Sequence, residues 1–253
     1  DLPLLTEVLD GVEAMAKAQR KTVAVVLDEF QQLVAEDGIK AERQLRAAVQ
    51  THQHVSYLFA GSKTRLLTDM TSHHGRPFYR MGSSLFLGPV PRAAFIPFLR
   101  EGFDKRGFKV AAGSVERILD LAEDVPYSVQ RLAHRCWDLL AGSSGGHQHL
   151  TPQFVERTLE RIALEDDPAY TQIWMTLTSV QKRALSAVIG SSGRRLLSKS
   201  VSDQYGLPVA SMQKALKILT NRGIIREEQT LGDARLRLDD PFFATWLRIA
   251  RLA

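Results

Sequence analysis

Lys21-Thr-Val-Ala-Val-Val-Leu-Asp-Glu-Phe30 decides the fold class of this chain. Val23–Leu27 is continuously apolar and rich in β-branched residues, which suits a strand buried on both faces of a parallel sheet. It ends abruptly in two carboxylates, Asp28 and Glu29. A second run, Val55-Ser-Tyr-Leu-Phe-Ala60, has the same character and ends in Gly61-Ser62. A third apolar stretch, Ser84-Leu-Phe-Leu-Gly88, reads as a further strand. Helical spacing of Leu4, Leu5, Val8, Leu9, Val12, Met15 and Ala16 predicts an amphipathic helix over 4–19. The segment 40–52 is helical by the same test. Strand, helix, strand order argues for a parallel α/β layer.

At Pro89-Val-Pro91 the pattern changes. The spacing predicts helices over 92–106, 114–124, 127–141 and 152–165, the last opened by Thr151-Pro152 as N-cap and first-turn proline. Gly142–His149 has the composition of a flexible linker. A third pattern follows. Thr178-Ser-Val-Gln181 reads as a capping box for a helix over 179–190. A short helix fits 198–204. A longer one fits 209–222, with Met212, Leu216 and Leu219 inward and Gly223 as its stop. Two strand-like runs, Ile224–Gln229 and Arg235–Leu238, meet through Gly232-Asp233. Three helices and a hairpin make a winged helix. The expected division is a partial α/β core over 1–90, an all-helical segment over 91–168 and a winged helix over 169–253.

Composition sets the outer bounds. The chain has 253 residues, 44% hydrophobic and 24% charged, as in an ordinary globular protein. No apolar run reaches the roughly 18 residues of a membrane helix, so no membrane partner is expected. A single cysteine, Cys136, excludes an intramolecular disulfide and a multi-cysteine zinc site, and a reducing, cytoplasmic setting is inferred. Cys136 itself, beside Trp137, reads as core. Lys and Arg number 33 against 28 Asp and Glu, a net charge of +5 that favours a nucleic-acid partner only mildly. The pairs His52/His54, His73/His74 and His147/His149 fall in expected loops and read as solvated residues rather than metal ligands.

A buried strand that delivers two carboxylates at its C-terminal edge places them in the usual ligand crevice of a parallel sheet. That chemistry fits nucleotide hydrolysis: Asp28 to hold Mg²⁺, Glu29 to orient or deprotonate the attacking water. Ser62, at the end of the neighbouring strand, is placed to meet a γ-phosphate or the water. The alternative for Asp28-Glu29 is an acidic loop, and for Ser62 a helix N-cap.

Taken in order, Val-Val-Leu-Asp28-Glu29-Phe30-Gln31, Leu-Phe-Ala-Gly61-Ser62, Arg76-Pro-Phe78-Tyr79-Arg80, Pro126-Tyr127 and Leu236-Arg-Leu-Asp239-Asp240-Pro241-Phe-Phe-Ala-Thr-Trp246-Leu-Arg248 resemble the archaeal-type ATPases on the AAA+/STAND side of the P-loop NTPases. The resemblance implies an α/β P-loop core, an all-α lid and a winged helix. It makes Asp28-Glu29 the Walker B pair and Ser62 the sensor-1 position. It makes Arg76 or Arg80 a finger-like or structural cation, and Pro126 and Tyr127 nucleotide-side residues of the lid, although by itself Tyr127 reads as core before it reads as an adenine-stacking residue. ATP and Mg²⁺ are the implied ligands. Self-association or a partner protein is the further implication. On the winged helix, Ser211, Gln213, Lys214, Lys217 and Arg222 would face double-stranded DNA, with Arg194, Arg195 and Lys199 nearby.

One departure is plain. The 253 residues contain no G-x-x-x-x-G-K-[ST] loop; in Gly61-Ser-Lys-Thr64 the Gly and Lys are not adjacent, and position 56 is Ser. Only 27 residues precede Asp28, and they read as one helix and one strand. The expectation is therefore the C-terminal portion of a longer ATPase, inactive by itself. The alternative is a non-catalytic winged-helix module for DNA or protein binding with a degenerate nucleotide site.

Overall fold

A computed structural model describes residues 2–61, 64–142, 149–230 and 233–251. Two compact units divide the chain, Asp1–Leu87 and Gly88–Ala253.

The first unit is built on a parallel pair, β1 (Val23–Leu27) and β2 (Val55–Phe59), in register Val23↔Val55 through Leu27↔Phe59. Helix α1 (Leu2–Ala18) precedes β1 and α2 (Gln31–Thr51) joins the two strands. Helix α2 is longer than the 40–52 segment predicts and bends at Gly38, whose φ of +60° a side chain would disfavour. Helix α3 (Thr64–Ser72) follows β2. Leu9, Phe30, Leu45, Met70 and Phe78 form the core, with Val25, Leu27, Tyr57 and Phe59 packed on it from one sheet face.

The other face differs from expectation. Ala24 and Val26 on β1, and Ser56 and Leu58 on β2, are exposed, Val26 by 57% and Leu58 by 60%. Among the described residues nothing covers that face, so the strands alternate in burial. Residues 84–88 likewise form no strand. Leu85, Phe86 and Leu87 are exposed by 84%, 63% and 89%. An apolar run becomes a strand only by pairing with another strand's backbone, and no described strand lies beside it.

The second unit is helical: α4 (Arg92–Asp104), α5 (Ser114–Leu121), α6 (Pro126–Ala141), α7 (Pro152–Glu165) and α8 (Asp167–Met175), the last unforeseen. It also contains a short parallel ladder, β3 (Lys109–Val110) with β4 (His149–Leu150). Thus His149 sits in a strand rather than a linker; residues 143–148, including His147, lie outside the described residues. The winged helix follows expectation closely: α9 (Ser179–Gly190), α10 (Lys199–Gln204), α11 (Val209–Asn221), the antiparallel hairpin β5 (Ile225–Thr230) and β6 (Asp233–Leu238), then α12 (Pro241–Ala250). The caps explain why. Thr151 accepts from the Phe154 amide, Thr178 and Gln181 complete a capping box, and Ser198 accepts from Val201.

One continuous apolar core runs from Phe95 in α4 to Leu247 in α12. Polar anchors tie the helical part to the winged helix. Tyr170 donates to Asp240 at 2.7 Å, and the Trp246 indole donates to Asp167 at 2.8 Å. Burial and the Asp240 contact both push the Tyr170 phenol up. Cys136 is buried in this core, and burial raises its thiol to about 12. No helix among the described residues is long and apolar enough to cross a membrane.

Candidate functional site

The acidic pair is set by backbone geometry. The ladder continues past both strands: the Ala60 amide donates to Leu27 O, and the Phe30 amide donates to Ala60 O, both at 2.9 Å. Asp28 and Glu29 therefore stand directly beside Ala60-Gly61 at one sheet end. Phe30 is buried, with its ring 4.5 Å from that of Phe59 and 5.4 Å from that of Phe78. This aromatic anchor, not singled out from sequence, fixes the turn immediately after the carboxylates.

Asp28 and Glu29 are both exposed. The Glu29 amide donates to Asp28 Oδ1 at 2.8 Å, leaving Asp28 Oδ2 outside that bond. Glu29 has φ +48°, a left-handed backbone rare for a residue with a β-carbon. Such outliers gather at functional sites. Ser62 lies outside the described residues. Among the described residues no cluster of three or more His, Cys, Asp or Glu is placed to hold a metal, so the acid pair is a two-carboxylate edge rather than a closed cage.

The two arginines have separate fates. Arg76 donates to Glu42, whose side chain is fully buried. Burial raises the Glu42 pKa, and Arg76 opposes that rise. Arg46 meanwhile holds the carbonyl of Pro77. These contacts favour the structural reading of Arg76. Arg80 is exposed, its guanidinium 5.2 Å from the Tyr79 ring centroid.

The first histidine pair departs from the solvated reading. His52 is 4% exposed in its side chain and lies between Tyr57 Oη, at 2.6 Å, and Asp10, at 2.8 Å. His54 meets Glu13 at 2.8 Å, and Glu13 also accepts from the amides of Gln53 and His54. Carboxylates on α1 thus bind the turn that leads into β2. Among the other histidines, the His74 ring lies against Tyr79.

On the second unit, Pro126 opens α6 and Tyr127 is 74% exposed, so Tyr127 is not core. It lines a groove of about 430 Å³ with Gln130, Arg131, His134, Ile162 and Glu165. Arg131 is held by Asp166 at 2.7 Å, a pairing that raises its pKa further.

Helix α11 buries Met212, Ala215, Leu216 and Leu219 and exposes Gln213, Lys214 and Lys217, with Ser211 half-buried. Lys214 and Lys217 make no ion pair among the described residues. Arg222 is exposed and donates to Thr176 Oγ1 at 2.6 Å. The hairpin arginines are engaged instead. Arg237 meets Glu123 at 2.6 Å and Glu228 at 2.7 Å, and Arg235 also binds Glu228.

Residues 168–249 match the family model described as a probable winged helix domain. A search of curated proteins found no match. Among solved structures, the chain is similar to a Walker-type ATPase of Pyrococcus abyssi, with TM-score 0.61 and 20% identity over 96% of this chain and 68% of that one. It is also similar to the ORC2 protein of Aeropyrum pernix, solved in ADPNP–ADP complexes, with TM-score 0.54 and 14% identity over 95% of this chain and 68% of that one. At these identities the likeness is one of fold. The chain has the fold of AAA+-type P-loop ATPases, with a winged helix at its C-terminal end.

Proposed function

We propose that Asp28 and Glu29 are the metal-holding and water-activating carboxylates of an ATPase, and that its state is passed to the winged helix. The observation that carries this is the turn after β1. It presents two exposed carboxylates beside the end of a parallel neighbour strand, with Glu29 in a strained left-handed backbone.

Two hard oxygen donors at a sheet edge fit Mg²⁺, which keeps several waters and takes one or two carboxylates. When bound with nucleotide, Mg²⁺ would supply charge neutralisation at the phosphates. Asp28 Oδ2 would be the ligand, since Oδ1 accepts from the Glu29 amide. Glu29 would take the proton of a water held beside it, with Ser62 as its proposed orienting partner from the sequence. The phosphates themselves find no cradle in these 253 residues. Turnover therefore belongs to a polypeptide in which these residues stand with a phosphate loop. The solved ORC2 complexes with ADPNP and ADP, on the same fold, support a nucleotide ligand.

The test is nucleotide affinity with and without Mg²⁺, measured on the polypeptide that includes a phosphate loop. Asp28→Asn should weaken the Mg²⁺-dependent affinity roughly 10- to 100-fold, the scale of one contact to a charged group. An undiminished Mg²⁺ dependence removes the metal assignment.

A second reading concerns DNA, and the outward face of α11 favours it. Lys214 and Lys217 project from the helix that enters the major groove in winged helices. Phosphate contacts from lysines set affinity without reading sequence. The double variant Lys214→Glu, Lys217→Glu should weaken duplex binding and flatten the dependence of log K on log salt by about 2. Unchanged anisotropy titrations at two salt concentrations would remove α11 from the interface.

A further inference from the structure

In the β5–β6 hairpin, Arg226 and Arg237 stand directly opposite each other in the antiparallel register. Like charges at one register position destabilise a hairpin unless an anion lies between them. Here that anion comes from outside the hairpin. Glu123, in the turn between α5 and α6, places Oε1 2.6 Å from Arg237 Nη1 and Oε2 3.5 Å from Arg226 Nη2. The second contact is open: Glu123 Oε2 and Arg226 Nη2 are both buried without a hydrogen bond.

The turn that carries Glu123 is itself unusual. Glu123 and Asp124 are consecutive non-glycine residues with φ of +51° and +58°. Asp124 is held by Arg92 at 2.8 Å, so the turn is fixed from its other side. Within the hairpin, Glu228 accepts from both Arg235 and Arg237. All three wing arginines thus face carboxylates, while the α11 lysines face none.

We propose that Glu123 masks a phosphate-binding site on the wing: it occupies the Arg226–Arg237 pair that a DNA phosphate would otherwise take. A phosphate has the charge and the acceptor oxygens to bridge two guanidiniums at once. The α11 lysines then make the contacts available in the masked state, and displacement of Glu123 adds the wing. This rests on the DNA reading above. It also gives the residues just before Pro126 and Tyr127 a route to control DNA affinity.

The experiment compares duplex-DNA binding by the wild-type chain and Glu123→Gln across a salt series. Glu123→Asn serves as a second variant, because Asn tolerates the left-handed backbone. Releasing Arg226, and Arg237 from one of its two carboxylates, should steepen the slope of log K against log salt by about 1 and tighten binding several-fold at low salt. Adding Arg226→Gln and Arg237→Gln should abolish the gain. Binding by Glu123→Gln alone, with a wild-type chain that does not bind, equally supports masking. An unchanged slope in both Glu123 variants, or no binding by any of the chains, overturns it. The α11 charge reversal in the wild-type background separates a failure of masking from a failure of the DNA reading.

Discussion

Glu42 and Arg76 show how a single residue's role is decided by what it touches. A carboxylate with no exposed side-chain surface needs its cation, and removing one member of a buried pair costs about 3–5 kcal/mol. Arg76→Gln should lower the unfolding free energy of the first unit by that amount in urea titrations. Loss of turnover at unchanged stability would instead restore Arg76 as a finger. Glu13 offers a second residue-scale test. Burial works against its charge, but His54 and the amides of His54 and Gln53 outweigh that and lower it from 4.5 to about 2. A depressed carboxylate stabilises the fold above its unfolded pKa and loses that contribution as pH falls. Acid unfolding followed between about pH 4.5 and 2 should be shallower in Glu13→Gln, and an identical profile would contradict the assignment. Asp28 and Glu29 were legible because an apolar strand ending in two acids is a local pattern. Glu42 and His52 were not, because their partners lie 34 and 42 positions away in the chain.

At the scale of elements, helices with their own start signals could be read directly. Thr151, Thr178 and Ser198 satisfy amides within three residues, so their helices need no distant information. Strands depend on partners. Leu85-Phe86-Leu87 has the composition of β2 but pairs with nothing described, and β3 and β4 are too short to have a period. One close approach holds the wing against α9. Gly193, with φ +74°, accepts from the Leu236 amide, and a β-carbon there would sit 1.7 Å from Leu236 O. Gly193→Ala should therefore cost on the order of 1–3 kcal/mol or more. Thermal melts matching wild type would show that β6 is not held at this point.

For the molecule, the two units differ in how completely they bury their apolar surface. Residues 88–253 share one core from α4 to α12, crossed by the Tyr170–Asp240 and Trp246–Asp167 bonds. A polypeptide of 88–253 should unfold in one cooperative transition by calorimetry; two separated transitions would show that the helical part and the winged helix melt independently. Among the described residues, the first unit has a core cluster of five buried large apolar side chains and an exposed sheet face. The order of the segments carried the fold because strand, helix and hairpin patterns are periodic. The proposed nucleotide site was legible only at its acidic edge, since no phosphate loop occurs in the 253 residues and Ser62 lies outside the described ones. The acidic edge is accordingly where the account stands or falls. Single-turnover hydrolysis at saturating ATP and Mg²⁺, by the polypeptide that joins these residues to a phosphate loop, tests it most directly. Glu29→Gln should retain ATP and lose about 10²- to 10⁴-fold in rate, the contribution of one positioned base; a rate equal to wild type would contradict the assignment of Glu29 as the water-activating carboxylate.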